Sequence, residues 1–182
     1  RWGFRWRRRL GELVMNRLTR LLKHRLFDEA DAHKALDDAA LERIGERVRE
    51  SEKHHSGEIR VCVEAGLPLS YLWRGASARE RAVAMFGKLR VWDTEANNGV
   101  LIYLLLAEHA IEIVADRGID RHVGAQGWQR ILEGMRAQFH DGHFEAGLLA
   151  AVEAVDALLV RHFALQPGQV NPNELPDAPW RV

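Results

Sequence analysis

The uninterrupted apolar run over residues 100–107, Val-Leu-Ile-Tyr-Leu-Leu-Leu-Ala, constrains this chain more than any other stretch. It is far shorter than the roughly 20 apolar residues a membrane-spanning helix needs. Unbroken apolarity over 100–106 instead fits a strand covered on both faces of a sheet. Only Ala107-Glu108-His109 separates it from a second strand over 110–115, where Glu112 interrupts Ile111, Ile113 and Val114. So short a connection predicts an antiparallel hairpin. The polar loops on either side, with Asp93, Glu95, Asn97 and Asn98 before it and Asp116 and Asp120 after it, are then brought to one end of the sheet.

The other elements follow from spacing and punctuation. Asp37 or Asp38 suits the cap of a helix from about residue 39, with Leu41, Ile44 and Val48 inward. Residues 58–63 read as a β-branched strand with Ile59, Val61 and Val63 on one side. A loop over 66–75 precedes a helix over about 77–89. Two closing helices are expected over about 126–139 and 144–162, broken at Asp141-Gly142. A strand–helix–strand order implies parallel pairing of the first two strands, with the last antiparallel at an edge. The expected fold is α/β: a three-layer α/β/α sandwich around a small mixed sheet. The four prolines of 165–182 rule out a continuing helix there, so this tail either straps the surface or hangs free.

At 182 residues the chain suits one domain over 37–164 plus two flanking segments. Its net charge is zero, yet residues 1–27 hold nine arginines and lysines against one acidic residue, so the body is acidic. Within the arm of 1–36, Leu10, Leu13, Val14, Leu18, Leu21, Leu22 and Leu26 draw one apolar stripe along a helix. Arg17, Leu18, Arg20, Leu21, Leu22 and Arg25 are the expected contacts if it lies on an anionic membrane surface. The competing reading docks the same stripe on the protein's own core or on a second copy. Arginines interrupt any signal-peptide core, and no transmembrane helix is visible, so the cytoplasm or the cytoplasmic membrane face is the expected location. The single cysteine, Cys62, excludes an internal disulfide. The arginines around Trp2 and Trp6 invite a nucleic-acid reading, but the acidic body opposes a binding track.

Ser56-Gly57-Glu58-Ile59-Arg60-Val61, Asn98-Gly99-Val100-Leu101-Ile102, and Ala110-Ile111-Glu112-Ile113 with Gly118-Ile119 together resemble the TPM domain family in order and spacing. The resemblance covers about residues 38–162. It implies an α/β/α sandwich with a cleft beside the strand ends, phosphatase activity as in plant members, and divalent-cation binding as in others. Further members act as accessories of membrane complexes. The matched positions are Glu58, Asp93, Asn98, Gly99, Gly118 and Asp120. One departure is Asp116, which stands where the family usually carries glycine.

The candidate site is therefore the acidic loop cluster. Asp93, Glu95, Asn98, Asp116 and Asp120 supply the hard oxygen ligands that calcium or magnesium prefers, although EF-hand spacing is absent. Asn98-Gly99 equally suits a turn, and Asp120 a helix cap. A phosphatase would use Arg117 and Arg90 to clamp phosphate, with Asp93 or Asp116 acting on water. His54-His55 and His140–His143 lack the further ligands that zinc requires, and no Ser/His/Asp arrangement is evident. The expected function is a membrane-peripheral accessory or binding module with a divalent-cation site. The rival is a metal-assisted acid phosphatase hydrolysing phosphomonoesters at the same cluster.

Overall fold

A computed structural model describes residues 18–26 and 29–182. In chain order these form α1 (18–26), α2 (Glu29–Ala35), α3 (Asp38–Ser51), β1 (Ile59–Glu64), α4 (Leu69–Trp73) and α5 (Ala78–Lys88). They continue with β2 (Val100–Leu105), β3 (Ala110–Ala115), α6 (Arg117–His140), α7 (Phe144–Phe163) and β4 (Trp180–Arg181).

The hairpin forms as the apolar run predicts: β2 and β3 pair antiparallel, with Val100 opposite Ala115 and Leu105 opposite Ala110. A single 3-10 turn over Leu106–Glu108 closes it, and His109 takes the left-handed conformation at φ 49°. β1 pairs parallel to β2, and the sheet order is β3-β2-β1-β4. Every residue of β1 and β2 is buried. One face of the sheet, with Ile59, Val61, Val63, Ile102, Leu104 and Ile113, packs under α3, α6 and α7. The other, with Cys62, Leu101, Tyr103, Leu105 and Val114, packs under α4 and α5. Two covered faces explain why β2 needs no polar alternation.

β1 alternates, but its polar side chains do not reach water. Arg60 and Glu64 are both buried. Arg81 grips the Glu64 carboxylate through Nε and Nη2, with bonds down to 2.6 Å, and the Tyr103 hydroxyl donates to it at 2.6 Å. This pairing is what allows a carboxylate beneath α5.

The helix ends follow their capping residues. Asp37 Oδ1 accepts from the Ala40 amide at 2.7 Å to start α3. Ser77 and Glu80 form a reciprocal capping box at α5. Two elements differ from the sequence expectation, and the tail takes one of the two courses expected of it. The 66–75 loop holds a short helix, α4. Helical structure begins at Arg117 rather than near 126, with a break at Gly124 (φ 68°, ψ 166°) that only glycine adopts easily. The tail is a strap, and it adds β4 parallel to β1.

The arm helix divides between the two readings. In α1, His24 is buried and Leu21 packs partly against the second core. Arg20 and His24 both contact Glu108, at 2.6 and 2.8 Å; burial pushes the Glu108 carboxyl up, but these two contacts outweigh it and hold the group below the usual carboxylate range. Leu18, Leu22 and Leu26 remain 51–74% exposed. Arg17, with residues 1–16 and 27–28 of the arm, lies outside the described residues.

Candidate functional site at the hairpin rim

Main-chain bonds bring the loop before β2 and the turn after β3 onto one rim. The Asp116 amide donates to Gly99 O at 2.9 Å, and the Gly118 amide donates to Asn97 O at 2.8 Å. Two glycines permit this approach. A Cβ on Gly118 would sit 2.4 Å from Asn97 O and 2.5 Å from Ala96 O. A Cβ on Gly99 would lie 2.0 Å from Val91 O. Side chains are excluded at both positions because main chain, which cannot move aside, occupies the space.

The five candidate ligands separate on this rim. Asn98 is fully buried; its amide nitrogen donates to Ser56 Oγ at 3.3 Å, and its backbone N–H to Thr94 Oγ1 at 3.1 Å. Its side-chain oxygen has no hydrogen-bond partner among the described residues. Asp116 is likewise buried: Oδ1 accepts from the Arg117 amide at 2.7 Å, and Oδ2 has no partner among the described residues. The other three are engaged or turned outward. Asp93 is exposed and pairs with Arg90 at 3.3 Å. Asp120 accepts from the Trp128 indole at 2.9 Å. Glu95 is exposed, and its amide donates to the Glu174 carboxylate. Among the described residues no three His, Cys, Asp or Glu side chains gather where they could hold a metal ion. A hard cation here would draw on the two unpartnered oxygens, Asn98 Oδ1 and Asp116 Oδ2. Buried oxygens without a donor are costly to leave so, and a divalent cation suits that chemistry.

Beside the rim is a depression of about 330 Å³ lined by Ala96, Asn97, Arg117, Gly118 and Arg121. Both arginines are exposed, and neither guanidinium has a hydrogen-bond or ion-pair partner among the described residues. Arg121 was not expected from sequence. Helical spacing from Arg117 would have found it, had the helix been started before residue 126.

A second cluster was also missed. Ser51 Oγ donates to Asp156 Oδ1 at 2.7 Å and lies 2.9 Å from His55 Nε2, while His55 Nδ1 faces Gly57 O at 3.0 Å. Ser51 and His55 are fully buried. The hydroxyl stands between imidazole and carboxylate, instead of beyond the imidazole as a nucleophile must. The cluster ties α3 to α7. The sequence distance from residue 51 to 156 concealed it. The remaining histidine pair is local: His140 contacts Asp141 and is bonded through its carbonyl to His109.

A mixed sheet of order β3-β2-β1-β4, covered by helices on both faces and carrying this rim, defines an α/β sandwich with a polar end. The chain matches the TPM domain over residues 30–158 and belongs to that family. Among solved structures it is similar to the BA42 protein of the psychrophilic bacterium Bizionia argentinensis. The identity is 28% over 81% of this chain and 95% of that one, with a TM-score of 0.69. It also shares its fold with the N-terminal domain of a P. gingivalis protein: 21% identity, 72% and 82% coverage, TM-score 0.56. No curated protein matches the chain.

Proposed function

We propose that this TPM-domain protein is a membrane-peripheral accessory or binding module that holds calcium or magnesium at the hairpin rim. The observation that carries the cation reading is the pair of buried oxygens, Asn98 Oδ1 and Asp116 Oδ2, that lack a partner among the described residues and lie on loops joined by the Asp116–Gly99 bond. Asp93 and Glu95, both exposed, would add negative potential around that pair, while Asp120 is committed to the Trp128 indole. Isothermal titration of the full chain with calcium and magnesium tests it: saturable binding lost in Asp116→Ala supports the reading, and absence of heat with both ions sinks it.

The membrane part rests on α1. Arg20 and Leu21 are spent on the body, so the surface offered to lipid is Leu18, Leu22 and Leu26 with Lys23 and Arg25, all exposed. Apolar burial and basic charge reinforce each other on an anionic leaflet, which favours the cytoplasmic membrane face. Among the described residues no helix is long and apolar enough to cross a membrane. Sedimentation with anionic vesicles should be salt-sensitive and should drop when Leu22→Glu is introduced. Equal pelleting by the variant would discard this surface, leaving a protein partner in a membrane complex as the reading.

The second reading, a metal-assisted phosphatase, is favoured by one observation: Arg117 and Arg121 line the depression beside the rim, both exposed and without a partner among the described residues. Two guanidiniums can bind the oxygens of a phosphomonoester and stabilise charge as it develops. A bound divalent cation would supply further charge neutralisation. Asp116, the buried carboxylate nearest the arginines in sequence, is the candidate to orient water. Hydrolysis of a generic phosphomonoester, abolished by Arg117→Ala, supports the enzyme; cation binding without turnover supports the module.

A further inference from the structure

The C-terminal segment is held against the outer edge of β1 by buried charged groups that read its main chain. Glu58, wholly buried, accepts from the amides of Glu174 and Leu175 at 3.2 and 3.1 Å. Arg60, 5% exposed, donates to the carbonyls of Pro176 and Ala178. Leu175 inserts into the core beneath α5, and the Val182 amide donates to Val63 O at 3.0 Å.

Inside this clasp two carboxyl groups meet. Glu52 Oε1 accepts from the Ile59 amide at 2.8 Å, and Asp177 Oδ2 pairs with Arg49 Nε at 3.1 Å. The remaining oxygens, Glu52 Oε2 and Asp177 Oδ1, are buried and receive no donor from any other described group. The two side chains are neighbours: Arg49, one helical turn before Glu52, holds Asp177, and Asp177 is among the carboxylates that act on Glu52. Two ionised carboxylates cannot be each other's partners; one proton between them satisfies both orphaned oxygens. The charged groups facing the pair are Arg49 from α3, Arg60 from β1, Glu58 just before that strand and Glu174 from the tail, with Lys53 in the turn after α3. Arg60 is committed to carbonyls, so Arg49 alone among these cations bonds the pair, and the proton is needed.

We propose that docking of the C-terminal strand onto β1 is coupled to a proton shared by Glu52 and Asp177, making the tail a strap that is held in acid and loosens as pH rises. The sign follows from solvation. Burial first, then the nearby carboxylates, push Glu52 up to about 9 in the docked state. With the strap lifted, Glu52 faces water and reverts toward the ordinary value of 4.5. Between these limits the docked form carries one proton more than the released form, so docking weakens by up to about tenfold per pH unit. Release uncovers the edge of β1 and its main-chain groups.

Hydrogen exchange read by mass spectrometry on the full chain tests this. Protection of residues 174–182, corrected for the chemical exchange rate, should fall steeply between pH 5.5 and 9, while a fragment within β2 holds. In Glu52→Gln the amide donates where the proton was, and the slope should flatten; Asp177→Asn, on the strap itself, should do the same and serves if the first variant misfolds. Wild-type protection that does not change with pH, or an unchanged slope in both variants, overturns the proposal.

Discussion

Trp128 Nε1 donates to Asp120 Oδ1 at 2.9 Å, bridging the break at Gly124 in α6. This bond assigns Asp120 a local scaffold task, the re-aiming of one helical piece against the next. Asp116, four residues earlier, keeps one oxygen without a partner among the described residues. Asp120→Ala should therefore lower stability by about 1 kcal/mol, the ordinary worth of such a bond, and leave cation affinity unchanged. Asp116→Ala should weaken cation binding by about tenfold or more, equivalent to about 1.4 kcal/mol. Calorimetric titration beside urea unfolding separates the two; equal affinity loss in both variants would contradict this division.

Gly118→Ala forces a methyl group to 2.4 Å from the Asn97 carbonyl. The contact is with main chain, so relief requires the two loops to part. The expected cost is about 1–3 kcal/mol, as for other overpacked sites, read as a lower melting temperature. Cation binding should fall with it, since the rim is opened. A variant with unaltered stability would show that the loops are not joined as described.

Arg81 and Glu64 are the buried ion pair most exposed to disruption by a single change. The Arg81 side chain is 11% and that of Glu64 2% accessible. Removing the guanidinium in Arg81→Met leaves a carboxylate stranded beneath α5 with only the Tyr103 hydroxyl, at an expected cost of about 3–5 kcal/mol. The double change with Glu64→Gln should recover much of it, because a neutral amide tolerates burial. Unfolding free energies of the four proteins complete the cycle; additivity would argue against coupling.

His55 makes the fold sensitive to acid. Burial pulls its ionisation below the ordinary 6.5, and Asp156 only partly opposes it. Below pH 6.5 the unfolded chain takes up a proton that the folded chain resists, so stability declines as pH falls, by up to about 1.4 kcal/mol per unit. The decline ends at the folded-state value. Glu52 acts in the opposite direction, its contribution weakening as pH climbs from 4.5 toward 9. Urea unfolding at pH 5 and 6.5 should show a smaller acid loss in His55→Gln than in the wild type; the same loss in both would remove His55 as its source.

The parts of this molecule that were legible in sequence are those governed by local rules. An apolar run too short to span a bilayer, followed by a three-residue connection, can hardly be anything but a buried hairpin. A capping residue such as Asp37 acts on an amide three positions away. Spacing likewise placed Asp93, Asn98 and Asp116 at one end of the sheet, because pairing Val100 with Ala115 leaves their loops no other place.

What spacing could not reveal was which oxygens remain available there. Whether Asp120 meets an indole, Asp93 an arginine, or Glu52 the carboxyl of a residue 125 positions later depends on packing between distant segments. Composition leaves the course of the tail open: four prolines exclude a helix, and it takes the buried Glu58 and Arg60, with the Val182–Val63 bond, to hold it as a fourth partner of the sheet. Backbone preference is a property of neighbours in the chain, so sequence determined the elements and their order. Burial and charge pairing are properties of neighbours in space, and those the tertiary structure alone decided.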